Sequence, residues 1–143
     1  MDQAGGYLMT RSPRLGCGAA IIQNGNILLI KRLKAPEIGC WGLPGGKVDF
    51  LEPIEQAVKR EIAEELGIRL HDLALLCVVD QIDPENKEHW VAPVYTSSEF
   101  DGVPHLVEAD KHSDMGWFSL GSIPEHLTVA TRAALPLLRE QLS

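Results

Sequence analysis

Between Pro53 and Leu66 the chain carries an amphipathic pattern with charges on the wrong side. Ile54, Ala57, Val58, Ile62 and Leu66 recur at helical spacing, Pro53 suits a first turn, Glu52 favours a helix N-terminus, and Gly67 suits a left-handed cap. At about 100° per residue, with Ile54 at zero, Glu61 falls near -20°, Glu65 near +20° and Glu64 near -80°. Two glutamates thus continue the apolar stripe, where a solvated charge run would sit opposite it. Carboxylates aimed at a partly enclosed surface and at one another must protonate, pair with cations or bind metal. Spacing of i, i+3 and i+4 gathers three hard oxygen donors within one turn, which suits Mg²⁺ or Mn²⁺. A surface salt-bridge cluster is the competing reading, and the helix alone leaves both open.

The rest of the chain narrows the setting. Its 143 residues, 45% hydrophobic, suffice for one domain with its own core. We expect an arm over residues 1–14 and a single domain over 15–143. A net charge of -7 disfavours a nucleic-acid partner, yet an acidic chain binds a small polyanion when divalent ions mediate the contact. The three cysteines, Cys17, Cys40 and Cys77, suggest neither a disulfide framework nor a zinc site. With no signal-like start and no apolar run long enough for a membrane span, the expectation is a cytoplasmic protein without a membrane partner.

Asn24-Gly25 between the apolar runs 16–23 and 27–30 predicts a hairpin. Ala35 to Gly46 reads as loop and turn around a short segment at Trp41 to Leu43. Leu73 to Val79 and Trp90 to Thr96 read as strands joined through Asp83-Pro84-Glu85-Asn86. Met115 to Phe118 reads as a further short strand, and Thr131 to Gln141 as a helix that Pro136 bends or begins. Alternating strands and helices predict a mixed α/β layered domain.

What precedes the helix decides between the two readings of its glutamates. Gly45-Gly46 follows Pro44, and paired glycines let a backbone approach a ligand closely. A phosphate-binding P-loop is excluded, because Trp41 and Val48 stand where glycine and Ser or Thr are needed. Instead, Gly46, five residues, Glu52, seven residues, then Arg60-Glu61-Ile62-Ala63-Glu64-Glu65-Leu66-Gly67-Ile68 matches the Nudix box GX5EX7REUXEEXGU at every fixed position. The lead-in Trp41 to Gly45 also resembles that family. The resemblance implies an α/β/α sandwich with a mixed sheet and a small-molecule nucleotide substrate. It implies a divalent metal, Mg²⁺ or Mn²⁺, held by Glu61, Glu64, Glu65 and the Gly45 carbonyl, with Arg60 and Glu52 orienting the site. In the family the base that activates water is a box glutamate or an acidic residue on a later loop; Glu108 and Asp110 are the later candidates. The family commonly forms homodimers, and the sequence leaves that open.

The box names the bond that is cut, a phosphoanhydride, and leaves the substrate open. The compact chain, the segment Glu108 to Lys111 ahead of Trp117, and His89-Trp90-Val91 in a strand resemble members that cleave nucleoside or deoxynucleoside triphosphates, including oxidised ones, to a monophosphate and pyrophosphate. Pro84, sixteen residues after Ile68, matches the spacing described for ADP-ribose or nucleotide-sugar pyrophosphatases. A nucleotide-binding module without catalysis is the alternative of another class, and the complete glutamate set argues against it. Trp41, Trp90, Trp117 and Phe118 are candidates for stacking on a base. His71, His105, His112 and His126 are expected in polar loops, without a metal-ligand spacing.

Overall fold

The computed structural model describes residues 11–142. Strands β1 (Arg14–Gln23) and β2 (Asn26–Arg32) form the expected hairpin. Asn24 and Gly25 turn it at φ 53° and 78°, the double left-handed pair that a tight hairpin requires. After β3 (Trp41–Gly42) comes β4 (Gly45–Lys47), where the sequence reading expected loop. Its register against β1, Cys17 opposite Gly46 and Gly18 opposite Gly45, makes the glycine pair part of the sheet. The loop reading failed because Gly and Pro composition signals irregular backbone, whereas here glycine lets two backbones come together. A Cβ on Gly45 would collide with the Cys17 carbonyl.

Helix α1 (Ile54–Leu66) begins one residue after Pro53, which caps it in extended geometry, and ends at left-handed Gly67. Strands β5 (Arg69–Leu70) and β8 (Phe100–Asp101) pair as a small separate sheet. Strands β6 (Ala74–Asp83) and β7 (Glu88–Ser97) form a long hairpin closed by the expected turn, where Asp83 Oδ1 accepts from Asn86 N at 3.2 Å. Strand β9 (His112–Ser119) is twice the length expected, and helix α2 (Val129–Leu142) carries Pro136 in its interior. Thr128 starts α2, accepting from Thr131 N at 3.4 Å, so Pro136 lies beyond the first turn.

The large sheet runs β3-β2-β1-β7-β6, with β4 also on β1 and β9 also on β2. The β1–β7 pair is parallel and the other pairs are antiparallel, which makes the sheet mixed. Alternation along β1 sorts the two layers. Cys17, Ala19 and Ile21 meet Ala57, Val58, Ile62 and Leu66 of α1, while Ala20 faces Leu135 and Leu138 of α2 with Ile27 and Leu29. The result is the α/β/α sandwich expected. Of the arm expected over residues 1–14, residues 1–10 lie outside the described part, and Arg14 already belongs to β1. No helix among the described residues is long and apolar enough to cross a membrane.

Candidate active site

The helix wheel placed Glu61 and Glu65 on the core side, and their side chains are 14% and 8% exposed against 51% for Glu64. Both carboxylates, Glu65 buried and Glu61 partly so, hang on the backbone of β4. Gly45 N donates to Glu65 Oε1 at 2.8 Å and Lys47 N donates to Glu61 Oε2 at 3.1 Å. Gly46 between them has no room for a side chain, since a Cβ would strike the Glu61 carboxylate. Burial raises Glu61 and pushes Glu65 up to about 8, overriding the hydrogen bonds that pull each down. Glu61 and Glu108 add like charge at Glu65.

Arg60 forms the frame of the site. Its Nε and Nη2 fork onto Glu52 at 2.7 and 2.9 Å, Nη2 also donates to the Lys47 carbonyl at 3.0 Å, and Nη1 lies 3.5 Å from Glu61 Oε2. Glu52 Oε1 also accepts from Asp49 N at 3.0 Å. The fork, with that bond beside it, holds Glu52 down at about 2. Arg60 therefore ties the loop before α1 to the strand that carries the glycines. Glu64 lies on the outer side, 3.3 Å from Arg60 Nη1.

Oxygen donors of this kind fit a hard divalent cation. A desolvated carboxylate pair with raised proton affinity is an environment that a nearby positive charge relieves. As the side chains stand, no three His, Cys, Asp or Glu side chains among the described residues converge to hold an ion.

A cleft of about 310 Å³ opens beside these glutamates, lined by Gly45, Gly46, Glu65, Arg32, His112 and Trp90 among others. His112 corrects its expected place in a polar loop: it opens β9, is 4% exposed, and its Nε2 stands 3.9 Å from Glu65 Oε2 while Nδ1 has no hydrogen-bond partner among the described residues. Glu108 bonds Lys111 Nζ at 3.2 Å and acts on Glu65 through its charge, whereas Asp110 is 74% exposed and faces Lys34 at 4.0 Å. Of the stacking candidates, Trp90 reaches the cleft. Trp41 and Phe118 meet edge to face at 4.9 Å in the α2-side core, and Trp117 stacks on Phe100 at 6.5 Å in the α1-side core. The sequence reading passed over Gln81 and Glu88, which also line the cleft. Their two-residue phase with Trp90 across the predicted hairpin was the signal available.

A mixed-sheet α/β/α sandwich that suspends helix glutamates from a glycine strand defines the Nudix fold class. Residues 12–139 match the NUDIX domain, and the chain belongs to the Nudix hydrolase family. The crystal structure of a MutT NUDIX hydrolase from Burkholderia pseudomallei superposes with a TM-score of 0.88 at 63% identity, over 89% of this chain and 98% of that one. An ADP-ribose pyrophosphatase of Methanocaldococcus jannaschii is 33% identical over 119 residues, 83% of this chain and 69% of that protein. A putative 8-oxo-dGTP diphosphatase 2 of Mycobacterium tuberculosis is 46% identical over 57 residues, 39% of this chain and 40% of that protein. Nudix hydrolases in general use a divalent metal.

Proposed function

We propose that this hydrolase cleaves the phosphoanhydride of a nucleoside or deoxynucleoside triphosphate, oxidised forms included, to the monophosphate and pyrophosphate. The observation that carries the reading is the pair of glutamates suspended from β4, Glu61 partly buried and raised, Glu65 buried, raised and lining a cleft of about 310 Å³. Glu61, Glu64, Glu65 and the Gly45 carbonyl are the groups to hold Mg²⁺ or Mn²⁺. Bound there, the metal supplies charge neutralisation on the phosphate oxygens and lowers the pKa of a coordinated water. Arg60 and Glu52 keep Glu61 in place, a supporting role that such outer partners commonly have. Proton acceptance from the attacking water falls to a carboxylate of this group or to Glu108, the later acidic residue whose charge reaches Glu65. The M. tuberculosis relative's name supports an oxidised purine triphosphate.

A second reading, ADP-ribose or nucleotide-sugar pyrophosphatase, draws on the name of the M. jannaschii relative and on Pro84. Assay of a broad nucleotide panel with Mg²⁺ or Mn²⁺, scored for monophosphate, pyrophosphate and ribose phosphate, separates the two. Glu64→Gln or Glu65→Gln should abolish metal-dependent release. No release from any nucleotide would leave the non-catalytic binding module as the better account.

A further inference from the structure

The cleft that starts at Glu65 has a second end with its own chemistry. Along β7, Glu88 and Trp90 alternate onto the cleft face, and Gln81 of β6 stands directly opposite Trp90. Gly16 of β1 lies between the two ends. A Cβ there would stand 3.3 Å from Gly46 O and 3.5 Å from Trp90 Cε3, so one absent methyl group separates the strand that anchors the glutamates from the indole.

Arg14 sits 5.6 Å over the Trp90 ring and lines a neighbouring cavity under the β6–β7 turn, leaving the indole to wall the cleft on its other side. Trp90 Nε1 donates to Glu88 Oε1 at 3.4 Å, which fixes the carboxylate at the edge of the ring. The Gln81 amide makes no hydrogen bond among the described residues. An aromatic face, an oriented carboxylate and an unengaged amide are thus set around one space.

We propose that Trp90, Glu88 and Gln81 are the base-reading end of the site and that they select a guanine-type base. An ionised carboxylate only accepts, and it offers two oxygens side by side. Guanine presents two adjacent donors, the ring N1–H and the exocyclic amino group, next to a carbonyl that an amide N–H can meet. Adenine and cytosine each set a ring acceptor beside their one amino donor, and thymine or uracil flanks its single N–H with two carbonyls. Each of those would bring an acceptor against Glu88, and an acceptor set against a carboxylate leaves both without a donor. What this adds to the proposed function is the set of residues that reads the base, and its turnover arm rests on that triphosphate reading.

The test compares dGTP with dITP, which lacks only the exocyclic amino group, by kcat/KM in Mg²⁺. It also compares dGMP with dIMP by equilibrium binding, followed through tryptophan fluorescence. Wild type should favour the guanine member of each pair by roughly tenfold or more. Glu88→Gln should bring both ratios close to unity, because its amide N–H opposes the base N1–H. Gln81→Leu should weaken dGMP and dIMP alike, since both carry the carbonyl, and keep their ratio. A wild-type ratio near unity, or a ratio unchanged in Glu88→Gln, overturns the assignment, and unaltered binding in Gln81→Leu removes Gln81 from it. A protein that turns over no triphosphate but prefers dGMP to dIMP would refute the triphosphate reading while leaving this one standing.

Discussion

Replacing Glu65 by Gln should make the metal-free protein more stable while ending its response to metal. Glu65 is 6% exposed, and burial holds its carboxyl at about 8 against an ordinary 4.5. With the folded pKa above the unfolded one, the native state takes up a proton that the unfolded chain releases across pH 4.5 to 8. The contribution is therefore full below that window and declines as pH rises through it. Each pH unit inside the window is worth about 1.4 kcal/mol, so going from pH 6 to pH 8 removes roughly 2 kcal/mol from the metal-free wild type. Gln keeps an oxygen for the Gly45 N–H and has no charge to bury. For a domain of this size roughly 2 kcal/mol corresponds to about 6–8 °C in Tm. Thermal melts in EDTA at pH 6, 7 and 8 should show the variant's advantage widening by that amount. Metal at a hundred times its Kd should return about 2.7 kcal/mol to the wild type and none to the variant. Parallel Tm curves for the two proteins across this pH range would refute the reasoning.

Gly46→Ala should leave circular dichroism intact yet lower metal affinity roughly 10- to 100-fold in a Mn²⁺ titration, because the new methyl displaces the Glu61 carboxylate. Leu51 holds φ 68° while 87% exposed, so Leu51→Gly should raise the urea midpoint by the equivalent of about 0.5–1 kcal/mol. Thr131 is fully buried, accepts from Leu43 N at 3.0 Å and shares a 2.7 Å bond with Thr128. Thr131→Val should cost about 1–3 kcal/mol in chemical denaturation. Glu52, lowered to about 2, contributes stability above pH 4.5 that is lost as pH falls towards 2. Acid unfolding of Glu52→Gln should lack that part of the slope.

The elements that periodicity encodes were legible. Helix α1, both hairpins and the strand segment Met115 to Phe118 follow from apolar spacing and turn residues, and the helical wheel set Glu61 and Glu65 on the inward side. Less visible was whatever depends on contacts far apart in sequence. Strand β4 exists because β1 accepts it, and nothing in Gly45-Gly46-Lys47 signals a strand locally. His112 reads as one more polar residue beside Asp110 and Lys111 until β2 pairs it with Arg32 and closes it in. Trp41 and Trp90 look alike as aromatic candidates, and only the layer each enters sends one to the core and the other to the cleft. The resemblance singled out Arg60 and Glu52, while the further anchor of Arg60 on the Lys47 carbonyl could not be read from it.

The parallel pairing of β1 with β7 also bears on when the site comes into being. Gly18 meets Val94 and Ala19 meets Tyr95 only after the whole intervening chain, α1 and the β6–β7 hairpin included, has been brought around. Closing a loop of that length is slow beside forming a hairpin or a helix. Each half of the cleft can take shape within its own stretch of chain, but neither half faces the other until this late closure. In refolding, helical signal should therefore return before nucleotide binding does, and a chain stalled between the two would look folded to a spectrometer while offering its substrate half a site.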